Sequence, residues 1–196
     1  MFLSLLAATA FGGVDYPASD LQNVSWEVLE DSDDWVGCTN QGDVTWCRSI
    51  SVVPAASSVL VALLEDFPGY VDVFDRVAMI RVLESDVIHV LLDMPFPFKS
   101  RDYVAKWLRE PDNGDDAVVF TFESVLHDRA PALDDVAFRL PDAAGRWRLD
   151  PVGPNSTRVT YTWNAYLGGD IPTWGLPRAR RTQGMEVMDW LTEAVR

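Results

Sequence analysis

Large apolar side chains alternate with small or polar ones along much of the chain. In "TRVTYTWNAYL", residues 157–167, the period is two, as in a strand with one buried face. The same alternation, or a short continuous apolar run, predicts strands over residues 35–39, 44–53, 78–83, 87–94, 103–109, 117–125, 136–140, 147–150 and 157–167. Helical patterns are fewer. Residues 54–65 open with Pro54, favoured in a first turn because its missing N–H is not needed there. Residues 69–76 give a second, short candidate. Residues 176–196 give a long one, in which Met185, Met188, Leu191, Thr192 and Val195 recur at helical spacing.

The order is hairpin, two short helices, a run of antiparallel strands, then one terminal helix. The fold class is therefore α+β, with helices segregated from a large sheet. A sheet of so many strands curls, and its concave face needs a cover. The terminal helix is the only long element left to lie there. A curved antiparallel sheet wrapped around a long C-terminal helix leaves a gap, an internal hydrophobic cavity able to hold a ligand. The chain of 196 residues suffices for one such core, assigned to residues 21–196. No repeat or linker divides it, and the Asp-rich stretches "EDSDD" and "DNGDD" read as solvated turns.

Residues 1–20 have two readings. Ala8-Thr9-Ala10 follows an apolar run and fits the small-x-small pattern of a secretory cleavage site, which makes the protein exported, periplasmic or secreted. Against this, no Lys or Arg precedes the run, which is too short to span a bilayer. The other reading is a first apolar segment packed on a cytoplasmic domain. The cysteines bear on the choice. In "CTNQGDVTWC" a two-residue turn at Gly42-Asp43 pairs Gln41 with Val44, Asn40 with Thr45, Thr39 with Trp46, and Cys38 with Cys47. Cysteines directly opposite on neighbouring strands can reach disulfide distance. A slip of one residue leaves two buried thiols instead. The sequons at Asn23 and Asn155 matter only if the source glycosylates exported proteins.

"MPFPFKSRDYV", residues 94–104, combines two prolines, two phenylalanines and an Arg-Asp pair at the mouth of a strand. Pro95 and Pro97 lack a backbone N–H, so this segment is a loop and not mid-sheet. Upstream lie "GDVTWCRSI" and "VPAASSVLVALLEDFPGYVDVFDRVAMIRVLE"; downstream lie "GRWRLDP" and "TRVTYTWNAYLGGDIPTW". In order and spacing these stretches resemble the START (StAR-related lipid-transfer) domains of the helix-grip superfamily, over residues 26–196. The resemblance implies a cavity for one lipid, gated by the Pro-rich loop and the terminal helix. Phe96 and Phe98 then form a lid, opposed by Met185 and Met188, with a hinge at Gly168-Gly169. Arg101 and Asp102 anchor the strand that starts there. Sterol-transfer members carry a buried acid–arginine pair; the matching positions here hold Leu92 and Trp107, which favours a more apolar ligand.

Alternation selects the cavity wall. Tyr103, Ala105 and Trp107 share one face of their strand; Tyr161, Trp163 and Ala165 share one face of theirs. Tyr103, Trp107, Trp147, Tyr161 and Trp163 are therefore the candidate ligand-binding wall, with plain core burial as the other reading. Arg139, in "VAFRLP", is the candidate internal charge for a lipid head group, or is exposed.

Charge narrows the partners. Thirty acidic residues against 16 basic ones give a net charge of −14. Nucleic acid is excluded as a partner, and anionic membrane surfaces repel most of the molecule. Membrane contact is expected to be transient, and the protein monomeric. Enzyme motifs are thin: no Gly-x-Ser-x-Gly and no Gly-rich phosphate loop occur. His89 reads as a strand residue with a hydrogen-bond partner and His127, beside Asp128, as solvated. No His/Cys grouping has zinc spacing, and Asp115-Asp116 and Asp134-Asp135 read as turns, so no metal or cofactor is expected. The expected function is non-catalytic binding, transfer or sensing of one lipid or hydrophobic small molecule. The alternative is a helix-grip enzyme of the polyketide cyclase or hydrolase type, using the same cavity.

Overall fold

The computed structural model describes residues 17, 21–111, 114–133, 136–164, 166 and 172–196. The Ala8-Thr9-Ala10 site, nearly all of the expected leader, the Gly168-Gly169 hinge, Ala165 and the Asp134-Asp135 pair lie outside the described residues.

Ten strands form one sheet: β1 (Glu27–Asp31), β2 (Trp35–Gln41), β3 (Val44–Val53), β4 (Val77–Val82), β5 (Val87–Leu92), β6 (Ser100–Arg109), β7 (Val118–Ser124), β8 (Ala137–Arg139), β9 (Ala144–Gly153) and β10 (Ser156–Asn164). Their order is β1-β2-β3-β10-β9-β7-β6-β5-β4, antiparallel throughout. The exception is β8, which pairs parallel with the first residues of β6. The helices are α1 (Ser57–Glu65), α2 (Tyr70–Val73) and α3 (Leu176–Ala194).

The hairpin register is the one that the Gly42-Asp43 turn dictates. Gln41 faces Val44, and Cys38 faces Cys47. Gly42 sits at φ 59°, the left-handed region in which a residue without Cβ is at ease. The two cysteines are joined in a disulfide, with Cα atoms 4.0 Å apart.

Several boundaries differ from the sequence pattern for identifiable reasons. β1 was not expected: it carries two glutamates and an aspartate in five residues and is an edge strand whose side chains are largely in water. β6 begins at Ser100, three residues before the expected start, because Arg101 and Asp102 are buried despite their charge. α2 is a single turn: Phe74 leaves the helical region at φ −107°, ψ 100°.

α3 lies over the concave face and touches β1, β2 and β3. Gly184 allows the close approach, since a Cβ there would meet Val36 at 3.0 Å and Trp163 at 3.1 Å. The face of β6 bearing Arg101, Tyr103, Ala105 and Trp107 is concave; Asp102, Val104 and Lys106 are on the convex side.

Candidate ligand cavity

Between the concave face, the Pro-rich loop and α3 lies a cavity of about 640 Å³. Tyr103 and Trp107 of β6, Trp147 of β9, and Tyr161 and Trp163 of β10 all line it. Alternation placed all five on one side of the sheet, and adjacent strands bring them into two stacks. On one side Trp107 lies 5.1 Å from Phe122 between ring centres, nearly parallel. On the other, Tyr161 is stacked between Trp147 at 4.0 Å and Trp163 at 4.8 Å. Stacked rings hold one another's rotamers, so the wall is preorganised. Leu92 also lines the cavity, as does Asn164, which alternation had placed outside.

The helix contributes a different stripe from the one expected. Met188 is fully buried in the main core and does not line the cavity; Met185 does not line it either. The cavity stripe of α3 is Ala179, Thr182, Gln183, Glu186, Val187 and Trp190. The more apolar stripe of an amphipathic helix goes to the driest contact, and here that is the sheet, against which Gly184, Met188 and Leu191 are buried. A cavity-facing stripe tolerates polar residues because its other side is open.

The Pro-rich loop splits its two aromatic residues. Phe98 lines the cavity together with Met94, Pro95 and Pro97. Phe96 points away and is 97 % exposed. A tight turn causes the split: Phe98 N–H donates to Pro95 O at 3.1 Å. Trp174, in the turn that precedes α3, also lines the cavity mouth and is 85 % exposed. Nothing in its local pattern separates an exposed Trp from a core one.

Arg101 and Asp102 are both buried, on opposite faces. Arg101, at the cavity wall, donates to the Lys99 and Ser100 carbonyls, and its guanidinium lies over the Phe138 ring at 5.6 Å. Asp102 Oδ2 accepts from His89 Nε2 at 2.8 Å and from Arg139 Nε at 2.6 Å. Arg139 also donates to Pro131 O at 2.7 Å. Arg139 therefore does not enter the cavity: its guanidinium is taken up on the convex side by a carboxylate and a carbonyl. His89 has the partner expected of it. His127 is not solvated; its Nε2 is 3.1 Å from Glu84 and its side chain 13 % exposed.

The charged pair that the cavity does contain was not legible. Arg76 donates from Nε and Nη2 to Glu186, at 2.6 and 2.7 Å. Its members are 110 residues apart in sequence, and only the tertiary fold makes them neighbours. The bidentate geometry neutralises both charges at the rim, and the Glu186 carboxylate raises the Arg76 guanidinium above its ordinary value. Burial pushes the hydroxyls of Tyr103 and Tyr161 well above the ordinary tyrosine range, so both are neutral donors at any physiological pH. Among the described residues no cluster of His, Cys, Asp and Glu could hold a metal, and no helix is long and apolar enough to cross a membrane.

A curved sheet gripping a long C-terminal helix across a cavity defines the helix-grip class. Within it, the chain has the fold of the START domains. A STAR-related lipid transfer protein fragment from Xanthomonas axonopodis superposes with a TM-score of 0.74 at 24% identity, over 87% of this chain and 98% of that one. The human StarD13 lipid transfer and protein localization domain gives 0.73 at 17% identity, over 88% and 89%. A Streptomyces aromatase/cyclase gives 0.51 at 15% identity, over 76% and 96%. In sequence, the chain is 28% identical over 168 residues to Rho GTPase-activating protein 7 of Rattus norvegicus. That match covers 83% of this chain, which spans only 14% of that relative's length. No protein-family model matches the chain.

Proposed function

We propose that the protein binds one lipid or other hydrophobic small molecule in this cavity, without catalysis, as a carrier or sensor. The observation that carries the reading is the cavity of about 640 Å³ walled by stacked aromatic and aliphatic side chains, within the size range of small-molecule sites. The exposed rings of Phe96 and Trp174 beside the mouth support transient membrane contact during exchange, with uncharged lipid surfaces favoured by a net charge of −14. The Cys38–Cys47 disulfide supports an exported protein, since such bonds persist in oxidising compartments. The cyclase-type reading is supported by the Streptomyces structure and needs a general base in the cavity; Glu186, the carboxylate that lines it, is engaged by Arg76.

Native mass spectrometry of protein loaded from mixed lipid vesicles tests the reading. One bound molecule per chain is expected, and Leu92→Trp, which narrows the cavity, should weaken binding while leaving the melting temperature within a few degrees. A wild-type protein that takes up nothing would overturn it.

A further inference from the structure

On the sheet side of the cavity Arg101 and Asn164 are hydrogen-bonded to backbone groups, which leaves two tyrosine hydroxyls without a partner. Tyr70 donates its hydroxyl to Leu64 O at 2.7 Å. Tyr103 and Tyr161 line the same cavity and, among the described residues, have no hydrogen-bond partner. Neither oxygen is sealed inside the wall, as the Trp107 and Trp163 indole nitrogens are. Their accessible surface is therefore cavity surface. A phenol facing a cavity without an acceptor is an unmade hydrogen bond, and so a place for a ligand oxygen.

We propose that the ligand is an uncharged lipid, bound with a carbonyl group inside the cavity that accepts a hydrogen bond from the Tyr103 or the Tyr161 hydroxyl. This rests on the lipid-binding reading above and adds the ligand's class and orientation. Size sets the first limit. A cavity of about 640 Å³ is within the range of small-molecule sites and takes at least one extended chain. Charge sets the second. A carboxylate carried inside loses its hydration and needs a cation, but Arg76 is held twice by Glu186 and Arg101 donates to the carbonyls of Lys99 and Ser100. Arg178 is at the mouth, in water. Two neutral donors and an apolar wall suit a ketone, ester or amide oxygen, which has two lone pairs and no charge to desolvate.

The test is displacement of a neutral environment-sensitive dye from the full chain by three probes of equal chain length: heptadecane, methyl pentadecyl ketone and heptadecanoate. The ketone should bind about twofold to tenfold tighter than the alkane, the range that one net hydrogen bond supplies. Tyr103→Phe with Tyr161→Phe should bring the ratio of ketone to alkane affinity, measured in the same variant, down to about one. In the infrared, the bound ketone's carbonyl stretch should move to lower frequency in wild type and not in the double variant. Equal binding of ketone and alkane by wild type, or tightest binding of the carboxylate, overturns the proposal while leaving lipid binding intact. Binding of none of the three overturns both. The wild-type comparison stands even if the double variant misfolds.

Discussion

The two faces of β6 are held by opposite physics. On the convex side, Asp102 gathers His89 and Arg139 around one buried carboxylate and ties β8 to the start of β6, its parallel neighbour in the sheet. On the concave side, Tyr103 and Trp107 meet other aromatic rings, and their row continues through Phe122 to the stacked set of Trp147, Tyr161 and Trp163. Charge is spent where the sheet must be closed and kept from where it must stay open. A buried carboxylate with two donors is specific and stiff, but it brings a desolvation cost that an empty cavity could not offset. Aromatic rings lose little by facing a void. Arginines border the cavity, but Arg76 is neutralised by Glu186 at the rim and Arg101 is folded back on its own backbone.

The convex cluster gives the largest expected effect. Asp102→Ala removes the shared acceptor and leaves His89, which is wholly buried, and Arg139, whose side chain is 37 % exposed. Breaking a buried pair costs about 3–5 kcal/mol. The lower end, about 3 kcal/mol, is expected because Arg139 can turn to water. Urea denaturation would measure it, and a loss below about 1 kcal/mol would show that the cluster does not hold β8 to β6. The dye affinity of the protein that remains folded should be unchanged.

On the concave side the counterpart is the disulfide, which lies beside Trp163 at the end of the cavity wall. Replacing both Cys38 and Cys47 by Ser should cost about 2–3 kcal/mol, the chain-entropy value for so short a loop. The denaturation midpoint should fall without convergence of wild type and variant until reductant is added. Equal stability of oxidised wild type and the double variant would contradict this.

What could be read from sequence follows from how far each signal reaches. A turn and its flanking strands are local, so Gly42-Asp43 predicted the register down to Cys38 opposite Cys47. Strand alternation is local too, which is why Tyr103, Trp107, Trp147, Tyr161 and Trp163 were assigned together. The helix carries two stripes 100° apart, and nothing local says which meets the sheet; Met185 and Met188 were therefore placed at the cavity, when the stripe with Ala179, Glu186 and Trp190 lies there. Pairings between distant residues left no trace at all: Arg76 with Glu186, and Arg139 with Asp102, are 110 and 37 residues apart. The Pro-rich loop's split between inward Phe98 and outward Phe96 depends on one turn whose geometry two prolines permit but do not spell out.

The smallest effect is absent at neutral pH and separates the two faces most cleanly. Tyr70, Tyr103 and Tyr161 all have hydroxyls raised above the ordinary tyrosine range of about 10, chiefly through burial. A raised tyrosine keeps its proton in the folded state when the unfolded chain has already lost it. The folded state then binds more protons, so stability is complete below pH 10 and falls as pH rises through and beyond it. Each tyrosine adds a slope of up to about 1.4 kcal/mol per pH unit. Tyr103→Phe with Tyr161→Phe removes two of the three contributions. Its unfolding free energy, followed from pH 9 to pH 11, should decline less steeply than that of wild type, with the gap opening only above about pH 10. Asp102→Ala, on the other side of the same strand, should shift the whole curve down and leave its alkaline slope as it was. If the phenylalanine variant declines as steeply as wild type, the two hydroxyls are not in the dry cavity, and the contrast between the faces fails at the point where ligand recognition depends on it.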